Sequence, residues 1–119
     1  MSIDVITAVE PDYVRITATG NYSFDRLFDF IALVKTFADE SSRTRALIDC
    51  SQIIGDMTEA ERFAGGQRIA EIFGTRLKAA VLMPAVQITK LGELAAVNRG
   101  AKLLVTSDET EATTWLIAA

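Results

Sequence analysis

Arg45-Ala-Leu-Ile-Asp-Cys50, Leu77-Lys-Ala-Ala-Val-Leu-Met83 and Ala101-Lys-Leu-Leu-Val105 are three short runs, apolar at nearly every position, and each is followed by a helix-start signal. A strand with one wet face alternates apolar and polar side chains. A strand that is apolar throughout is buried on both faces, the condition of a parallel sheet with helical crossovers. The three runs therefore predict mutually parallel strands at the centre of a sheet. Upstream, residues 3–10 read as a strand and Pro11-Asp12 as a turn. Residues 13–19 alternate, with Val14, Ile16 and Ala18 on one face and Tyr13, Arg15, Thr17 and Thr19 on the other. Together they predict an antiparallel hairpin at one side of the sheet.

The helices fall between these strands. Ser23 is the expected N-cap of a helix over 24–38, whose Phe24, Leu27, Phe28, Ile31, Val34 and Ala38 form an apolar stripe. Phe30, Leu33 and Phe37 widen that stripe beyond what one sheet face covers. The excess predicts a contact with a neighbouring helix, with an apolar ligand or with a second copy in a symmetric homodimer. Residues 51–57 read as a short connection. Thr58-Glu59-Ala60-Glu61 is a capping box opening a helix to Phe73, with Gly74 after it. Gly65-Gly66 inside that helix costs about 2 kcal/mol against two alanines, which close backbone packing on another element would offset. Thr89 is the expected cap of a helix over 90–99 with Leu91, Leu94, Ala95 and Val97 inward. Asp108-Glu109-Thr110-Glu111 opens the last helix, where Trp115 is expected to lock onto the sheet. The order is ββαβαβαβα, an α/β fold in which residues 1–119 form a single domain with a mixed sheet and right-handed crossovers.

Composition removes several function classes. The 119-residue chain has no histidine and one cysteine, Cys50, which excludes Ser-His-Asp and Cys-His triads, His metal sites, thiolate clusters and an internal disulfide. Its net charge of −4 and lack of a basic run give no electrostatic footprint for nucleic acid. No apolar stretch has the length of a membrane span, no signal-peptide pattern is seen at the N-terminus, and a cytoplasmic location is expected. Asp49 and Asp56 are the one carboxylate pair that acid–base or Mg²⁺ chemistry would use, but loop and cap roles account for them. Cys50 reads as a small core residue, and no cofactor is expected.

Two segments carry a resemblance. Leu47-Ile-Asp-Cys-Ser-Gln-Ile-Ile-Gly-Asp-Met-Thr58 and Arg99-Gly-Ala-Lys-Leu-Leu-Val-Thr-Ser-Asp-Glu-Thr-Glu-Ala-Thr-Thr-Trp-Leu116, in this element order, resemble the STAS-like, SpoIIAA-like group of small domains. Anti-sigma-factor antagonists of that group are switched by phosphorylation of a serine in an Asp-Ser-Ser/Thr-Gly loop. Laid on this chain the motif falls on Asp56-Met57-Thr58-Glu59, with Met57 at the acceptor position. Methionine accepts no phosphate, the Thr58 hydroxyl is taken by the cap, and Glu59 and Glu61 repel a phosphoryl group. The resemblance thus implies a non-enzymatic module that binds a protein partner through Asp56, Met57, Thr58, Glu59 and Glu61, without the serine switch. The alternative is a small-molecule or lipid-binding domain with an apolar pocket beside helix 24–38, since the group is also compared with Sec14-like lipid carriers.

Overall fold

The computed structural model describes residues 3–118. The strands are β1 (Ile3–Val9), β2 (Val14–Asn21), β3 (Arg45–Ile54), β4 (Lys78–Leu82) and β5 (Lys102–Thr106). The helices are α1 (Phe24–Glu40), α2 (Glu59–Phe73), α3 (Leu91–Val97) and α4 (Glu109–Ile117), with a single 3-10 turn at Ala85–Gln87. The sheet runs β1-β2-β3-β4-β5; β1 and β2 are antiparallel and every other neighbouring pair is parallel. The three apolar strands are mutually parallel, as their composition predicts. Their placement needs one correction: β5 lies at an edge, and β2 of the hairpin is internal.

An apolar edge strand is stable here because other groups replace its missing neighbour. The Val105 N–H donates to Glu93 Oε2 at 2.6 Å, and the Lys90 ammonium donates to the Val105 carbonyl oxygen. Both outward backbone groups of that residue are thereby satisfied by side chains from the start of α3, which blocks pairing at that position of the edge. At the other side, β3 absorbs residues 51–54, which the sequence reads as a connection. A register shift between Thr17 and Thr19 lets the extended strand keep pairing with β2 out to Asn21↔Ile54.

Strand alternation feeds two cores. Val14, Ile16, Ala46, Ile48, Ala79 and Leu103 point to the face covered by α1, α2 and α3, and α1 answers with Ile31, Val34 and Ala38. Leu47, Ala80 and Leu82 point to the other face, where α4 supplies Ala112 and Leu116. This explains why β3 and β4 lack a polar face. Trp115 is only half-buried against this second core; the Lys78 ammonium lies 4.5 Å over its ring and donates to the carbonyls of Trp115 and Ala118 at 2.7 and 3.1 Å. A cation thus closes the C-terminal end of α4, opposite Asp108, whose carboxylate accepts from the Thr110 and Glu111 N–H groups. Desolvation lowers the Lys78 pKa, and the nearby Arg45 and Lys102 add to the effect.

Two expectations for caps and one for a helix face are corrected. Ser23 occupies the N-cap of α1 but makes no side-chain bond there. Lys90, in a left-handed conformation (φ 68°), precedes α3, while the Thr89 hydroxyl turns to Glu59. Ala95 and Ala96 are the buried face of α3; Leu94 and Val97 are exposed. The cause is the glycine pair. A Cβ on Gly66 would stand 2.2 Å from the Gly92 carbonyl oxygen and 2.9 Å from Ala95 Cβ, and a Cβ on Gly92 would meet the Arg62 carbonyl at 3.0 Å. The backbones of α2 and α3 touch, and only the small-residue face of α3 can turn inward.

Gly65 and Gly66 should then respond differently to alanine. Gly65→Ala meets only the flexible Leu27 Cδ2 at 3.2 Å and gains helix propensity, so its denaturant midpoint should correspond to a change within about 1 kcal/mol. Gly66→Ala meets backbone and should lose roughly 2–4 kcal/mol in the same urea titration.

Candidate functional site

The C-terminal ends of β3 and β4 and the start of α2 meet at one end of the sheet, the position where open α/β sheets place ligands and contacts. Asp56 Oδ1 accepts the Met57 N–H at 2.8 Å and pairs with the Arg62 guanidinium. Thr58 Oγ1 accepts the Glu61 N–H, and Glu61 Oε1 accepts the Thr58 N–H, both at 3.1 Å, completing the capping box. The same Glu61 oxygen accepts the Tyr22 hydroxyl at 3.1 Å. Burial, followed by that hydrogen bond to Glu61, raises the Tyr22 pKa and keeps its phenol protonated.

Arg62 anchors this cluster. Only 7% of its surface is exposed, and its Nε lies 3.1 Å from Glu59 Oε1, at an angle that leaves the N–H without a well-formed hydrogen bond. Sequence reading passed over Arg62, although its spacing of three from Glu59 and six from Asp56 was visible. The loop after β4 docks on the same cluster: Gln87 Nε2 donates to the Gly55 carbonyl at 3.3 Å and Thr89 Oγ1 to Glu59 Oε1 at 3.1 Å. Two apolar side chains are exposed at this end of the sheet, Ile54 (67%) at the last position of β3 and Val86 (93%) in the loop after β4, and Asp56 and Glu59 are exposed on the loop and helix start that follow β3. Val86 sits between Pro84 and Ile88 in an apolar context and carried no signal of exposure.

The structure brings Asp56, Met57, Thr58, Glu59 and Glu61 into this one cluster. It separates Phe30, Leu33 and Phe37. Phe30 lines a partly open cavity of about 150 Å³ bounded by the sheet, α1, α2 and the start of α3. Leu33, 40% exposed, and Phe37 instead border a shallow groove with Val5 and Thr7 of β1. Phe30 and Phe37 both pack on the main core. The surface that its walls present is mostly apolar, with Met57 and Met83 beyond the strand ends and Cys50 on β3, although charged side chains also stand in the lining. Burial, with the nearby Asp49 adding to it, pushes the Cys50 thiol up to about 12.

Asp49 and Asp56 do not form a pair. Asp49 takes Arg15 at 3.2 Å and Ser51 Oγ at 2.6 Å, while Asp56 is held by Arg62. Arg15 also reaches Glu109, tying β2 and β3 to the start of α4. Among the described residues no group of three His, Cys, Asp or Glu side chains has the arrangement of a metal site.

An anti-sigma factor antagonist from Mycobacterium paratuberculosis superposes on this chain with a TM-score of 0.64 at 13% identity, over 97% of this chain and 94% of that one. This chain has the SpoIIAA-like fold. An uncharacterized protein of the DUF3478 family from Shewanella loihica, itself of SpoIIAA-like fold, superposes with a TM-score of 0.57 at 18% identity, covering 96% of this chain and 93% of that one. No family model matches the sequence, and no curated protein is similar to it. Among the described residues no helix is long and apolar enough to cross a membrane.

Three measurements follow from the site. Thr58→Ala removes a cap bond and should lower stability by about 1 kcal/mol in denaturant titration. The Cys50 thiol, protonated up to about pH 12 in the folded protein, should be alkylated by iodoacetamide at pH 8 roughly a hundredfold or more slowly than in urea-unfolded chain. Its raised pKa also favours the folded state below the ordinary thiol pKa, and that contribution is lost as pH rises from there towards 12. Replacing Cys50 with valine should remove that part of the alkaline destabilisation.

Proposed function

We propose that this chain is a non-enzymatic STAS-like module that binds a protein partner at the joined loops after β3 and β4 and the start of α2, without a serine phospho-switch. The observation that carries it is the exposure of Ile54 at the end of β3 and of Val86 in the loop after β4, at an end of the sheet where Arg62, Gln87 and Thr89 hold the loops together and Asp56 and Glu59 are exposed. Exposed apolar side chains on a pre-organised scaffold, rimmed by charge, suit a partner that offers an apolar contact flanked by Lys or Arg. The likeness in fold to an anti-sigma factor antagonist supports a binding role in general.

The absence of a phospho-switch rests on the loop itself. Met57 stands at the acceptor position, and its side chain is half-buried in the cavity wall. The Thr58 hydroxyl accepts the Glu61 N–H, and a phosphoryl group there would meet Glu59 and Glu61. A non-enzymatic role is supported by the separation of Asp49 from Asp56 and by the protonated, cavity-facing Cys50. A single cysteine, with no internal disulfide possible, fits a reducing compartment and supports a cytoplasmic location for this module.

The double substitution Ile54→Asp/Val86→Asp tests the surface. Both sites are exposed, so the urea midpoint should stay within about 0.5 kcal/mol of wild type for each change. Proteins retained from the native cell extract by immobilised wild type should be lost from the variant. Equal retention by both proteins overturns the assignment of this surface. Intact mass of the protein isolated from its own cell should correspond to the unmodified chain, and a stoichiometric phosphate on Thr58 would restore the switch.

A further inference from the structure

We propose that the cavity between the sheet and α1–α3 is a binding site for a compact, uncharged apolar molecule of about the size of one aromatic ring. The inference goes beyond the partner surface and does not depend on it. The cavity lies at the C-terminal ends of the parallel strands, between Cys50 and Ile53 of β3, Val81 of β4, Phe30 of α1 and Ile69 of α2. Its volume of about 150 Å³ equals that of an apolar core cavity that takes up benzene, and its partial opening to solvent gives a small molecule a way in. The helices around it pack closely enough for the backbones of α2 and α3 to touch, so the void is not general looseness. An empty apolar void leaves its wall atoms without dispersion partners, and an occupant restores them.

Charge and size define the ligand class. The charged residues lining the cavity are Asp56, Arg62, Lys90 and Glu93, and they form two closed ion pairs, Asp56 with Arg62 and Lys90 with Glu93. Arg62 is further engaged by Glu59, and Lys90 by the Val105 carbonyl. Each cation already has a carboxylate partner, although the Arg62 Nε–H keeps no well-formed hydrogen bond, so a carboxylate or phosphate head group would have to displace an acid and would face the neighbouring ones. The paired charges disfavour a fatty acid relative to an uncharged ring. Two thioether side chains, Met57 and Met83, form part of the wall and can adapt it to rings or branched hydrocarbons of different outline.

The test is a benzene titration of full-length protein carrying ¹³C-labelled methionine and leucine methyl groups. The methyl resonances of Met57 and Met83 should shift and saturate, while those of Leu116, buried on the opposite face of the sheet, should not move. Octanoate at the same concentration should leave all of them unchanged. Cys50→Leu, which pushes a larger side chain into the cavity, should weaken the benzene response roughly tenfold or more. Ile69→Phe fills the cavity from the helix side and serves if Cys50→Leu does not fold. Unsaturable shifts, shifts that include Leu116, or undiminished benzene binding in a folded cavity-filled variant overturn the site. Octanoate binding as tight as that of benzene overturns the ligand class.

Discussion

The backbone contact between α2 and α3 is the constraint on which the upper half of the molecule depends. Gly66 lies so close to Gly92 that a Cβ has no room, and Gly92 in turn rests on the Arg62 carbonyl. That contact fixes the depth at which α2 sits over the sheet. It carries Arg62 to a buried position next to the loop after β3, and there Arg62 gathers Asp56 and Glu59. Two glycines in a helix interior are costly in isolation. Here they set the position of a charged side chain some distance from themselves. A buried arginine with two carboxylates contributes little net stability but fixes geometry, because breaking either pair leaves an uncompensated charge.

The same contact accounts for the uneven filling of the two sheet faces. On the α4 side a single short helix covers β3, β4 and β5, and Leu47, Leu82 and Leu116 close the space with large side chains. On the other side three helices must share one sheet. Alanine and glycine dominate where α2 meets α3, drawing those helices together, while α1 stands against α2 through larger residues such as Leu27. Helices drawn together at one point and held apart at another enclose a space between them and the sheet. The cavity is therefore a geometric consequence of where small residues were placed, and its apolar walls follow from the strand alternation that builds the main core.

Most of the architecture was legible in the sequence because it depends on local signals. The all-apolar runs at 45–50, 77–83 and 101–105 identified parallel strands, the alternation at 13–19 identified the hairpin face, and the Thr58–Glu61 capping box identified the start of α2 to the residue. The edge position of β5 was not legible. It depends on Glu93 and Lys90 reaching the Val105 backbone, and no periodicity records a side chain standing in for a strand. The inward face of α3 was misread for a related reason: hydrophobicity favours Leu94 and Val97, but clearance against α2 favours Ala95 and Ala96. At the site, the acidic loop was found by its motif. Arg62, Val86 and Thr89 were not, because their roles arise from the docking of two loops that are distant in sequence.

Met57 joins these strands of reasoning. In the resembling family its position belongs to a serine, whose modification places charge in the loop. A thioether there does the opposite: it withdraws from water and becomes part of the cavity wall, while Asp56 and Thr58 on either side keep their polar contacts at the surface. The loop therefore has one face in each environment. A partner gripping its outer face and a molecule filling the space behind it act on the same few backbone bonds. If both proposed occupants bind, any difference in the position of Met57 between the filled and empty cavity would change affinity for the partner, and the partner would change affinity for the occupant by the same factor. A methionine at this position offers no hydroxyl for a phosphoryl group, and the property through which it would influence the loop is the volume it fills.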